Sequence, residues 1–216
     1  DPATEAYDRI HVIPGLGDTD RTNDGGVAPD GAFWFGVMDD REREVRGWLY
    51  RLGPDGDLVD MRIDPVLVTN TFQWSPDGRV FYTCDSAEQE ILAFDHDLET
   101  GVLTERRLFS STQEGGGYPD GSAIDEAGCL WNAQWDAGRV VRYAPDGLVD
   151  RVIELPVSRP TSCCFGGPDL KTLFITTARI GLDETEIVER QPLAGGLFAC
   201  EVSTPGLPPR VYGGAR

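Results

Sequence analysis

The sequence predicts an all-β fold, a β-propeller, because two different signals recur together at one long period and no stretch keeps the 3.6-residue spacing of a helix. The first signal is a turn rich in Pro, Asp and Gly followed at once by large apolar residues. The second is a further strand-and-turn unit behind it.

The first signal occurs four times: Pro29-Asp30-Gly31 before Phe33-Trp34-Phe35, Pro76-Asp77-Gly78 before Val80-Phe81-Tyr82, Asp125-Glu126-Ala127-Gly128 before Cys129-Leu130-Trp131, and Pro168-Asp169 before Leu173-Phe174. Trp34, Phe81, Trp131 and Leu173 are 47, 50 and 42 residues apart. One four-stranded propeller blade takes roughly 40–50 residues. The second signal follows as Trp48–Leu52 before Pro54-Asp55-Gly56, as Ile91–Phe94 before Asp95-His96-Asp97, and as Val140–Tyr143 before Pro145-Asp146-Gly147. Runs of β-branched and aromatic residues bounded by turn formers are strand signatures. Between Leu182 and Arg190 the chain is polar and long enough for a loop with one helical turn. An irregular β-sandwich would give no reason for paired signals at a fixed period.

The 216 residues, 40% of them hydrophobic, suffice for one domain, residues 1–216, with a substantial core. The 26 Gly and 15 Pro suit an architecture made largely of turns. A formal charge of −18 argues against nucleic acid as a partner, since phosphates are bound by Lys and Arg. No apolar run is long enough to span a bilayer, and Asp1-Pro2-Ala3-Thr4-Glu5 lacks the zones of a signal peptide, so the expectation is a cytoplasmic protein with no membrane partner. The five cysteines fit a reducing compartment: Cys163 and Cys164 are adjacent, and Cys84, Cys129 and Cys200 lie in or beside expected strands. His11 and His96 are the only histidines, and His96 reads as a residue of a polar turn. With no C-x-x-C pair, any metal must be held mainly by oxygen.

Three polar motifs hold equivalent places in their repeats, each just ahead of what reads as the first strand of a blade. They are Arg21-Thr22-Asn23-Asp24-Gly25, Val68-Thr69-Asn70-Thr71, and Tyr118-Pro119-Asp120-Gly121-Ser122. Strands pointing radially would bring Asn23, Asn70 and Asp120 toward one axis, where a carboxylate and amide oxygens suit a hard divalent cation. Taken singly, each motif has the composition of an ordinary tight turn. A serine hydrolase is disfavoured, because no G-x-S-x-G elbow is present and histidine is scarce.

Five stretches in order, Arg21–Gly25, Phe33–Met38, Trp74–Gly78, Tyr118–Gly121 with Leu130-Trp131, and Cys164–Leu170, resemble the senescence-marker-protein/regucalcin/gluconolactonase family. The stretch from Thr176–Arg179 through Pro192–Phe198 resembles its bacterial sugar lactonases, xylonolactonase-like members included. The resemblance implies a six-bladed propeller that hydrolyses a sugar acid lactone at one divalent ion: calcium, zinc, magnesium, manganese or iron. It implies Asn70 and Asp120 as metal ligands, Asp120 also as catalytic base, and Arg21 and Asn23 as substrate-binding residues.

Two departures stand out. The family often has Asn-Gly where this chain has Asn70-Thr71, and Thr tolerates positive φ poorly. Four repeats account for this chain whereas six blades need about 270 residues. The expectation is that it supplies the last four to five blades and lacks the first, with its glutamate ligand. Glu5 is the nearest candidate, but its surroundings do not match. Blades short of a full ring expose strand edges and allow self-association. A phosphotriesterase-like metal propeller and a non-catalytic binding propeller with an incomplete site are the alternatives to the lactonase.

Overall fold

A computed structural model describes residues 9–61, 63, 64 and 66–213. It contains four antiparallel sheets laid out as successive propeller blades. The first holds β1 (Asp20–Val27), β2 (Phe33–Asp39), β3 (Trp48–Leu52) and β4 (Leu58–Asp60), in that order. The second holds β5 (Thr69–Trp74), β6 (Val80–Asp85), β7 (Glu90–His96) and β8 (Leu103–Ser111). The third holds β9 (Tyr118–Ile124), β10 (Leu130–Trp135), β11 (Arg139–Tyr143) and β12 (Val149–Glu154). The fourth has three strands, β13 (Pro160–Gly166), β14 (Thr172–Thr177) and β15 (Leu197–Glu201). One wide helical turn, Glu186–Arg190, lies in the loop expected to hold it.

The repeated turns work as their composition demands. Gly31, Gly78 and Gly128 take φ of 81°, 77° and 81°, which only glycine adopts cheaply, and each hairpin closes on a backbone bond such as Ala28 N–H to Ala32 O at 2.8 Å. The apolar strand after each turn is the second of its blade, and the polar motif before the turn is the first. β1, β5 and β9 are therefore the innermost strands, and β5 packs against both β1 and β9 while β9 also packs on β13. This corrects the reading that placed the polar motifs just ahead of the first strand of each blade: they form that strand. Glycine and short polar side chains give weak strand signals, yet they are what closely approaching inner strands can accommodate.

Because side chains alternate across a strand, the second strands of the first three blades bury both faces. Trp34 points into a cluster shared with Phe72, Trp74, Phe81 and Phe94 of the second blade, whereas Phe35 and Val37 turn to the opposite face with Tyr50. Leu130 packs toward Tyr82, Cys84 and Ile91, and the next residue, Trp131, toward Cys163, Leu173 and Ile175 of the fourth blade. Double-sided burial is why β2 reads as an unbroken apolar run rather than an alternation. The repeat-defining residues Trp34, Phe81, Trp131 and Leu173 are at most 1% exposed.

His96 departs from its expected turn. It ends β7 and is 4% exposed, wedged edge-on against Trp34 with ring centres 5.5 Å apart, its Nδ1 2.8 Å from Gly78 O. The flanking Asp95 and Asp97 made the segment look wet. The inward face of the strand takes His96 into the core regardless. All five cysteines are free, with Cys84, Cys129 and Cys163 buried.

After β15 the chain runs back across the blades. Glu126 N–H bonds Pro205 O at 3.0 Å, the Arg210 guanidinium lies 5.9 Å from the Trp74 ring centre, and Gly213 N–H reaches Gly31 O at 2.9 Å. These contacts are all at the hairpin ends of the inner strands. The opposite ends carry Arg21, Asn70 and Asp120.

One buried ionic knot fastens the third blade. The carboxylate of Asp125, fully buried, accepts from Trp131 Nε1 at 2.9 Å, Arg142 Nε at 2.8 Å, and the Ala127 and Cys129 N–H groups at 3.0 Å each. Asp125→Ala strands these donors and is expected to cost about 3–5 kcal/mol. Arg107→Ala, which breaks the exposed 2.7 Å pair with Asp95, is expected to cost less than about 1 kcal/mol. Urea denaturation of the two variants checks this difference.

Candidate functional site at the head of the inner strands

Arg21 and Asn23 sit on β1, Asn70 on β5 and Asp120 on β9, all near the starts of their strands. All four line one cavity of about 640 Å³. Three blades thus contribute to a single opening at one end of the inner strands.

A continuous hydrogen-bond chain runs along this side. Arg21 Nη1 donates to Asn23 Oδ1 at 2.5 Å, and Asn23 Nδ2 donates to Asn70 Oδ1 at 2.9 Å and to Thr69 O at 2.7 Å. Asn70 Nδ2 donates to the Ser86 hydroxyl at 2.9 Å, and that hydroxyl donates to Pro119 O at 2.6 Å, one residue before Asp120. The Asn70 amide is therefore held at both ends and its orientation is fixed.

Thr71 lies at the centre of a second set of bonds. Its φ is 60°, the left-handed region that a β-branched residue normally avoids at a cost of about 1–2 kcal/mol. That conformation lets Thr71 N–H donate to Asp24 Oδ2 at 2.8 Å while its hydroxyl donates to Asp120 O at 2.7 Å and lies 2.8 Å from Ser122 Oγ. Asn132 Nδ2 adds a bond to Asp120 O at 3.0 Å. The backbone of Asp120 is thereby immobilised from two blades. Gly121 follows because a Cβ there would collide with Ser162 of β13.

The carboxyl of Asp120 is pushed up to about 7, first by burial and then by the negative charge of Asp24, against which the Gly121 N–H is a smaller opposing influence. Burial also raises Asp24, opposed by the N–H groups of Gly25 and Thr71. Among the described residues no Lys, Arg or His forms an ion pair with either acid. Two poorly solvated carboxylates without a basic partner favour a cation beside them.

That donor set fits a hard divalent ion: Asp120 offers a carboxylate and Asn70 an amide oxygen. The described residues contain no group of three or more His, Cys, Asp or Glu suited to a metal, so an ion there leans on amide and other oxygens as well. Glu5 lies outside the described residues. The sequence reading missed Asp24, Trp135 and Arg159, the last two of which line the same cavity. Asp24 could have been found, since it adjoins Asn23 in the same motif. Trp135 and Arg159 belong to no repeated signal.

The fold and this constellation define a β-propeller with an oxygen-rich site at the head of its inner strands. A family model described as "SMP-30/Gluconolactonase/LRE-like region" matches residues 1–179, and the chain belongs to that family. Zebrafish regucalcin is 42% identical over 198 residues, which cover 90% of this chain and 66% of that protein. The solved structure of a calcium-binding regucalcin from Agrobacterium tumefaciens superposes with a TM-score of 0.91 at 30% identity, covering 98% of this chain and 71% of that one. A gluconolactonase from Xanthomonas campestris gives a TM-score of 0.63 at 31% identity, covering 77% of this chain and 58% of its own. The chain spans about two thirds of the length of the curated relatives it matches.

The raised acid has a measurable consequence for metal-free protein. Between about pH 4, the ordinary carboxyl value, and about 7, the folded state holds a proton on Asp120 that the unfolded chain has released. This group therefore makes the fold more stable as pH falls through 7 and less stable above it. In the presence of chelator, Asp120→Asn is expected to be more stable than the parent at pH 8 by on the order of 2–4 kcal/mol, with the two converging near pH 4. Denaturation curves at both pH values check the sign.

Proposed function

We propose that this protein hydrolyses the lactone of a sugar acid, with Asp120 as catalytic base. The observation that carries the reading is the meeting of Arg21, Asn23, Asn70 and Asp120 from three blades in one cavity. A carboxylate at the wall of this cavity can take a proton from an attacking water and return it to the leaving oxygen. Membership of the family and the likeness to a gluconolactonase support the substrate class.

A divalent ion held by Asn70 Oδ1 and Asp120 would supply Lewis acidity toward the lactone carbonyl. Asp120 takes a proton from the water that adds to the carbonyl carbon and can return it to the ring oxygen as the ester bond breaks, leaving the open hydroxy acid. Asn70 is barred from rotating by its bonds to Asn23 and Ser86. Arg21 is tied to Asp40 at 2.5 Å and to Asn23, and both Arg21 and Asn23 line the cavity, where their donors would orient substrate oxygens. The finer reading is a cytoplasmic enzyme using one divalent ion, a compartment supported by the five free cysteines.

With calcium, manganese or zinc added in turn, the protein is expected to hydrolyse glucono-δ-lactone above the spontaneous rate and to lose that excess in chelator. Asp120→Ala is expected to reduce kcat by about 10²–10⁴-fold with its melting transition retained. A variant that keeps most of the parent rate would remove Asp120 from the mechanism.

A further inference from the structure

The wall of the cavity formed by the third blade is built with more care than a solvent-facing rim requires. Tyr118 and Trp135 are direct cross-strand partners on β9 and β10, and both line the cavity. Tyr118 remains 40% exposed, while Trp135 is half-buried. The Arg159 guanidinium stacks on Trp135, 5.0 Å from the ring centre. It is pinned there by Nε donating to Asp136 Oδ1 at 2.7 Å and by Nη1 donating to Ile180 O.

Two backbone features make room for this arrangement. Asp136 takes φ of 63°, a left-handed conformation that Asp tolerates better than most residues. Gly181, at φ 75°, has no side chain where a Cβ would strike the Arg159 guanidinium at 2.6 Å. Among the described residues, Arg159 Nη2 makes no hydrogen bond. Single exposed aromatic residues are common and need no explanation. Here two of them adjoin a braced guanidinium that has a donor to spare, in the cavity that Asp120 also lines.

We propose that Tyr118 and Trp135 form a ring-binding wall that packs against the C–H face of a hydroxylated six-membered ring, with Arg159 Nη2 donating to one of its hydroxyls. This rests on the lactone-hydrolase reading for its ligand class. Aromatic faces suit the polarised C–H bonds of a sugar, and a planar guanidinium suits its oxygens. The wall distinguishes sugar lactones from bare ones. It selects substrate and takes no part in bond breaking.

The test compares glucono-δ-lactone with δ-valerolactone, which has the ring and carbonyl but no hydroxyls. Trp135→Leu is expected to raise KM for the sugar lactone about tenfold with kcat little changed, and to leave kcat/KM for δ-valerolactone within about twofold. Trp135→Phe is expected to restore most of the loss, and Tyr118→Ala, which sits on the exposed rim, to show a smaller loss of the same kind. Equal losses on both lactones, or no loss on either, would overturn the wall. Binding of methyl β-glucopyranoside, followed by tryptophan fluorescence, separates the wall from the chemistry because this ring cannot be hydrolysed. Weaker binding to Trp135→Leu than to the parent supports the wall even if no lactone is turned over. Undetectable binding to the parent, or equal binding to both, overturns it.

Discussion

The site depends on how Thr71 joins three blades. Its N–H reaches Asp24 on β1 and its hydroxyl reaches the backbone of Asp120 on β9, while it belongs to β5. These bonds require the left-handed φ of 60°, which is costly for a β-branched residue. The strain is held because Thr71 is wholly buried, where each unmade bond would cost about 1–3 kcal/mol. Backbone strain kept in place by its surroundings is common at functional sites, where it fixes groups that would otherwise move. Glycine at this position would relieve the strain but could not supply the hydroxyl.

The fixed frame explains the electrostatics. Asp24 is held by backbone donors from Gly25 and Thr71, close enough to raise Asp120, whose own carboxylate has little to bind. Apart from Arg21, which donates to Asn23, the rest of the polar network is neutral: amides, hydroxyls and carbonyls in which Asn23, Asn70 and Ser86 meet partners and Asn132 Nδ2 bonds Asp120 O. Such a frame orients oxygen atoms without neutralising the acids. A cation is the natural complement, and the negative balance of the chain, −18, favours its approach.

Much of this architecture was legible because propeller blades repeat. The Pro-Asp-Gly turns, the apolar second strands and the inward placement of Asn70 and Asp120 all follow from spacing together with family resemblance. The inner strands themselves were not recognised as strands, since Thr69-Asn70-Thr71 and Pro119-Asp120-Gly121 have turn-like compositions and are extended only because neighbouring blades enclose them. His96 was misread for the related reason that local polarity hides which face of a strand turns inward. Trp135 and Arg159 were invisible, because their pairing joins the end of β10 to the start of the fourth blade and recurs nowhere else.

The chemistry of the site turns on whether Asn70 and Asp120 share one cation. A crystal structure of the protein grown with calcium tests this directly. The expected result is a single ion at about 2.3–2.6 Å from both Asn70 Oδ1 and an Asp120 carboxylate oxygen. An ion bound elsewhere with this cavity holding only water, or an Asp120 carboxylate turned away from the Asn70 amide, would contradict it.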